Sequence, residues 1–195
     1  MKASLEKGEV VTLPSVSTIA DGTAVKTPGS NIFPYIKENI DSIITIEDDE
    51  LIVSFLDMVE NHKMVVENSG LLTVAALKHL DFTGKKVVSI LSGGYMDVIT
   101  MASIVPHGLI QRGRIFTVSV LLPDKPGELV KVASIIAKEQ GYVIKLEHNQ
   151  FVSINRSKAV ELQITLEAFG NEHKEQITKA LKDNGYDAKV IQPNL

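Results

Sequence analysis

Cysteine is absent from the 195 residues, so disulfides, thiolate metal sites and a cysteine nucleophile are excluded, in keeping with a reducing compartment. No apolar run approaches the roughly 18 residues of a membrane span, and the opening MKASLEKGEV is polar and mixed in charge, unlike a signal peptide. A cytoplasmic, soluble chain is expected. Clustered basic charge is lacking too. The formal net charge is −4 and the lysines and arginines are scattered, which argues against nucleic acid or an anionic membrane as partner and for a small molecule or a protein. What is present is a globular composition, 44% hydrophobic and 23% charged, with length enough for two small cores.

The chain has two textures. In residues 1–112, SIITI (42–46) reads as a strand, followed by Leu51, Ile52, Phe55, Leu56 and Val59 on one helical face behind an acidic first turn, Glu47 to Glu50. Ser69 to Leu80 predicts a second helix, KKVVSIL (85–91) a second strand, and Asp97 to Gln111 a third helix interrupted or kinked at Pro106. This order predicts an α/β fold containing part of a doubly wound sheet. From Gly113 the rhythm changes. Strands are expected at 115–122, 142–153, 159–168 and 187–191, with helices at 129–140 and 172–184, giving a βαββαβ, ferredoxin-like α+β unit. Leu129, Val132, Ile135 and Ile136, then Ile177, Ala180 and Leu181, recur at helical spacing, and Val160, Leu162, Ile164 and Leu166 alternate with Glu161, Gln163 and Thr165 as in a half-buried strand.

Several stretches carry candidate chemistry. VVSILSGGYMD (87–97) ends an apolar run at Ser92-Gly93-Gly94, where a hydroxyl and freely approachable backbone stand at a strand's end, the place where open α/β sheets bind ligands. Read without context, an ordinary turn is the favoured reading. The five histidines, His62, His79, His107, His148 and His173, show no metal-ligand spacing and read as surface or helix-end residues. Ser92 lacks a Gly-x-Ser-x-Gly setting, which argues against a hydrolase triad. The run Glu47 to Glu50 reads as a helix-dipole complement rather than a metal loop, so no metal site is expected.

In the second half, Pro123-Asp124-Lys125-Pro126-Gly127-Glu128-Leu129 joins the first strand to the first helix and leaves backbone N–H groups bare at the helix start, where a carboxylate can be received. With the βαββαβ order around it, the stretch from 113 to 192 resembles an ACT domain, an amino-acid-sensing module. The resemblance implies that Asp124, Pro126, Gly127, Glu128, Leu129 and Tyr142 line an effector site for an amino acid of the isoleucine or valine type. Tyr142 stands where that family often has Asn, which implies weakened binding.

In the first half, IADGTAVKTPG (19–29), KMVVENSGLLTVAAL (63–77) and VVSILSGGYMD resemble, in order, the C-terminal part of the catalytic domain of the threonine ammonia-lyases, pyridoxal phosphate enzymes related to the tryptophan synthase β subunit. The resemblance implies conversion of L-threonine to 2-oxobutanoate and ammonia, with Ser92 facing the pyridine nitrogen, Gly93 and Glu67 beside the ring, and Ala20, Asp21 and Gly22 in a turn lining the same pocket. A neutral hydroxyl leaves the ring nitrogen largely unprotonated, which suits elimination. Tyr95 departs from the family's usual Asn. Apart from the resemblance, Glu67 reads as a surface carboxylate and Asp21-Gly22 as a turn.

The family's Schiff-base lysine segment and its glycine-rich phosphate loop do not occur. Lys26, Lys63, Lys78, Lys85 and Lys86 lie in other contexts, Lys26 reading as solvated, and Gly93-Gly94 is the sole glycine pair. The expectation is therefore the C-terminal portion of the catalytic domain in 1–112 and an ACT domain in 113–195, with no catalytic residue in this chain, no covalent cofactor attachment and no activity by itself. A homo-oligomer is expected, through ACT sheets or exchange of first-half elements, because an incomplete sheet leaves an open edge. The alternative is a non-catalytic amino-acid-binding regulator. A related hydroxy-amino-acid lyase or racemase shares the Ser-Gly-Gly pocket.

Overall fold

The computed structural model describes residues 1–149 and 160–193. The chain divides into two compact units, Met1–Ala102 and Ser103–Leu195.

The first unit is helical. Helix α1 (Lys2–Lys7) and α2 (Phe33–Asn39) precede α3 (Asp48–Asp57), which runs into a π turn, Met58–His62. The acidic start of α3 is used as capping: Glu50 accepts the Glu47 N–H at 3.2 Å, and its other oxygen meets His79 Nε2 at 2.7 Å. These two contacts, the Glu47 N–H first and His79 second, hold the Glu50 carboxyl below the usual range. The predicted apolar face is real, with Leu51, Ile52, Phe55 and Leu56 buried. Helix α4 (Asn68–Ala75) replaces the first part of the expected 69–80 helix and tightens into a 3-10 turn, Ala76–His79.

The partial doubly wound sheet expected in residues 1–112 is not formed. Neither 42–46 nor 85–91 is a strand, because a strand requires a hydrogen-bonded neighbour and no backbone–backbone bond joins either run to another described residue beyond the Lys85 to Phe82 turn. Helix α5 (Val98–Gln111) is continuous through Pro106, so of the expected interruption or kink the interruption does not occur. Asp97 starts it, accepting the Thr100 N–H at 3.0 Å, and Pro106 removes one donor without ending the helix.

The second unit has its own core. Strand β1 (Ile115–Leu122), helix α6 (Glu128–Lys138), strands β2 (Tyr142–Asn149) and β3 (Val160–Glu167), helix α7 (Asn171–Asp183) and strand β4 (Asp187–Ile191) form the βαββαβ order. The sheet is antiparallel in the order β2-β3-β1-β4, the ferredoxin-like arrangement. Leu162, Ile164 and Leu166 are buried with Phe116, Val118 and Val120 against Val132, Ile136, Ile177 and Leu181, and Val160 is buried too. On the other face Thr165 is buried as well, its hydroxyl 2.8 Å from that of Thr117. Leu129, expected on the core face, is exposed, since it lies in the first turn of α6 beyond the sheet's coverage. The expected strand ends at 150–153 and 159 lie outside the described residues.

Candidate functional site

The three stretches separated in sequence meet in the first unit. The 18–22 segment is fixed from two sides: Asp48, in the first turn of α3, accepts the Thr18 hydroxyl at 2.5 Å and the Ile19 N–H at 3.1 Å, while Asn68, first residue of α4, donates its amide to the Ile19 carbonyl at 2.9 Å. Asp48 thus does more than complement a helix dipole. It ties α3 to the turn that follows. That turn is a single 3-10 turn, Asp21–Thr23, closed by the Thr23 hydroxyl on the Ala20 carbonyl at 2.9 Å and by the Gly22 N–H on the Asp21 carboxylate at 2.8 Å, with Ala20 buried.

Gly22 faces the start of α4. A Cβ placed on it would stand 2.7 Å from the Ser69 hydroxyl and 3.8 Å from a Glu67 carboxylate oxygen. From the other side comes the 87–94 run. Thr73 donates its hydroxyl to the Ile90 carbonyl at 3.1 Å, laying the run along α4, and Gly70 lets it come close. A Cβ at Gly70 would lie 2.2 Å from the Ser92 carbonyl oxygen, so no larger residue permits this approach. Gly93 has φ +84°, and a Cβ there would lie 2.2 Å from the Glu67 carboxyl carbon. Only glycine meets both conditions.

Ala20, Asp21, Gly22, Glu67, Ser92 and Gly93, the six residues expected at the cofactor, are therefore gathered in one place. Two further residues escaped the sequence reading. Asn68, 6% exposed, has its Oδ1 without a partner, and so does the buried Ser69 hydroxyl. Orphaned buried polar atoms normally find a partner. The available signal was a pair of polar residues opening an otherwise apolar helix, which reads equally as helix capping. None of the residues gathered here carries a positive side chain.

The effector residues expected in the second unit are not brought together within one chain. Tyr142 pairs with Glu167, and Glu167 with Ile115, whereas the loop holding Asp124, Pro126 and Gly127 follows Leu122 at the far end of β1. Seven residues of strand separate the two ends, roughly 23 Å. Glu128 is engaged, accepting Lys131 Nζ at 2.8 Å and the Tyr186 hydroxyl at 3.1 Å. The ammonium first and the phenol second hold its carboxyl below the usual range, and desolvation with the same carboxylate pushes the Tyr186 phenol up. His173, expected at a surface or helix end, is buried in the first turn of α7, accepting the Phe169 N–H on Nδ1 at 3.0 Å and meeting the Glu139 carbonyl through Nε2 at 2.5 Å.

Residues 1–93 match the family described as pyridoxal-phosphate dependent enzyme. The first unit is thus similar to pyridoxal phosphate enzymes, and pyridoxal phosphate is the cofactor this likeness implies for a parent enzyme. The chain is similar along nearly its whole length to L-threonine ammonia-lyases: 36% identical to that of Geobacter sulfurreducens over 97% of this chain and 48% of the relative, and 32% identical to that of Thermotoga maritima over 98% and 48%. An L-threo-3-hydroxyaspartate ammonia-lyase from a Pseudomonas species is 39% identical over 52% of this chain and 32% of its own length. The chain spans about half the length of the curated relatives it matches, 48% in both ammonia-lyases. Among the described residues no helix is long and apolar enough to cross a membrane.

Proposed function

We propose that the first unit supplies one wall of the pyridoxal phosphate pocket of a cytoplasmic threonine ammonia-lyase, which converts L-threonine to 2-oxobutanoate and ammonia. The observation that carries this reading is the convergence of the Ala20–Gly22 turn, Glu67 and Ser92-Gly93 around two buried polar atoms without partners. The residues fit the ring end of the cofactor. Ser92 would offer its nitrogen a neutral hydroxyl and Glu67 would stand beside the ring, while Gly93, bare of a side chain, lets the backbone pack against the Glu67 carboxyl. Bound pyridoxal phosphate supplies the electron sink for cleavage at the α-carbon of an amino acid. Around it, Asn68 Oδ1 offers an acceptor and the Ser69 hydroxyl a donor, and Asp48 holds the Ala20 turn in register with both. The likeness to an ammonia-lyase for a hydroxyaspartate supports β-hydroxy amino acids as the substrate class, with threonine the member named for the two most extensive matches cited.

By itself the chain is catalytically incompetent in this reading, because no cation stands at the wall to receive a phosphate and no lysine belongs to it. Calorimetry with pyridoxal phosphate is expected to give weak, non-covalent binding that Ser92→Ala and Glu67→Gln each reduce, and borohydride is expected to trap no lysine in preference to the others. Equal binding in all three proteins, or one lysine trapped specifically, contradicts it.

The second unit is read as an ACT domain at 113–195 following a catalytic portion at 1–112. Its βαββαβ order, its complete core and the loop from Asp124 to Leu129 support this. Since Tyr142 and that loop lie at opposite ends of one sheet, an effector site using both is formed between two copies, which supports a homo-oligomer. A non-catalytic amino-acid regulator is the second reading, favoured by a core that needs nothing from the first unit's site. Binding of isoleucine or valine without any binding of pyridoxal phosphate would select it.

A further inference from the structure

In the second unit, the last turn of α6 and the first turn of α7 border a groove of about 600 Å³ at the end of the sheet where β3 finishes, opposite the Asp124–Leu129 loop. That volume suits a small molecule. Its floor is fixed. His173 Nδ1 accepts the Phe169 N–H at 3.0 Å, which leaves Nε2 as the donor to the Glu139 carbonyl at 2.5 Å, so one imidazole ties the β3–α7 loop to the end of α6. The Phe169 ring stacks on that imidazole, with centroids 4.8 Å apart and planes 13° from parallel. Phe169 is nevertheless 72% exposed. A large ring held on one face and open to water on the other is a preorganised plate for a flat ligand. Gln140 adds a second sign. Helix α6 closes with the Gln140 N–H on the Ala137 carbonyl at 3.1 Å and the Gly141 N–H on the Ile136 carbonyl at 3.0 Å, the pair of bonds that puts one residue in the left-handed region. Glycine usually takes that position, because a side chain there costs free energy. Here it is Gln140, with φ +61°, and it lines the groove.

The charges select the ligand. Lys138, Glu139 and Glu172 line the groove, one ammonium against two carboxylates. An aromatic acid would meet two like charges, and a simple amine would leave Lys138 unanswered. A flat cation is drawn to the open face of an aromatic ring, and a guanidinium suits that face better than an ammonium because it is planar and less strongly hydrated. We propose that this groove binds free L-arginine, with the guanidinium on the open face of Phe169 and its N–H groups towards one carboxylate, the α-ammonium towards the other, and the α-carboxylate towards Lys138. The ligand's two positive groups and one negative group then match the groove's charges in number and in opposite sign. The site belongs to the second unit alone and does not depend on the pyridoxal phosphate reading.

The test is titration of the full chain with L-arginine, followed by amide NMR shifts. A dissociation constant of about 1–10 mM is expected, in keeping with a few solvent-exposed contacts, with shifts concentrated at Gln140, Phe169 and Glu172. L-Citrulline, which keeps the shape without the charge, and agmatine, which lacks the carboxylate, are each expected to bind about threefold or more weakly, and L-lysine likewise. Phe169→Leu, which keeps an apolar side chain and removes the ring, and Glu172→Gln are each expected to weaken binding about two- to fivefold, with unmoved amide shifts in β1 and β3 reporting that the unit stays folded. The ligand series needs no variant and tests the site in the native chain. No saturation by about 50 mM arginine, equal affinity for arginine and citrulline, shifts confined to another part of the chain, or undiminished binding in Phe169→Leu overturns the proposal.

Discussion

Gly93 and Gly70 show why single glycines decide whether this site exists. At Gly93 both the positive φ and the nearby Glu67 carboxyl oppose a side chain, while at Gly70 only the close Ser92 carbonyl does. Gly93→Ala is expected to cost about 1–3 kcal/mol in the unfolding of the first unit, and Gly70→Ala to push the 87–94 run off α4. Chemical denaturation measures the first, and loss of nuclear Overhauser contacts between Thr73 and Ile90 reports the second. In the second unit, Glu128 and Tyr186 make stability pH-dependent at both extremes. The Glu128 contribution is complete above a carboxylate's unfolded value and is lost as pH falls through its lowered folded value. The Tyr186 contribution is complete below the phenol's unfolded value and is lost as pH rises through its raised folded value. Tyr186→Phe is therefore expected to flatten the alkaline arm and make the acid arm shallower in denaturation followed against pH.

Among the elements, those whose partners lie in the chain were legible in the sequence. The alternation of Val160, Leu162, Ile164 and Leu166 and the helical spacing of Val132, Ile136, Ile177 and Leu181 predicted the second unit's core, because strand and helix there cover each other. SIITI and KKVVSIL carry equal β character and form no strand, since composition records a preference for pairing and not the presence of a neighbour. The clustering of the six residues expected at the cofactor was legible through motif order, whereas the contacts of Asn68, Ser69 and Asp48 were not. Their roles depend on contacts with Ile19, Gly22 and Thr18, between 29 and 49 residues away for the three hydrogen bonds that fix the 18–22 segment. The two kinds of element are expected to respond differently to mutation. Leu166→Ala in β3 is expected to cost about 2–5 kcal/mol, and Val88→Ala, in a run of similar composition, to stay within about 0.5 kcal/mol. Urea unfolding of both variants makes the comparison.

For the molecule as a whole, both units leave apolar surface open. The second unit buries a core between its own sheet and helices yet exposes Tyr142, Val143, Ile144 and Leu146 along β2, while the first keeps Val88 and Ile90 exposed beside a site lacking a positive group. For the regulatory part, Tyr142→Asn is expected to strengthen isoleucine or valine binding by about tenfold in calorimetry, and equal affinity in both forms would remove Tyr142 from the effector site. For the chemical part, the most direct measurement is the change in amide NMR shifts when pyridoxal phosphate is added at about 1 mM, a concentration suited to weak binding. Shifts concentrated at Gly22, Glu67, Asn68, Ser69, Ser92 and Gly93 are predicted. Shifts scattered over surface lysines, with those six amides unmoved, would contradict a cofactor-binding wall at this site.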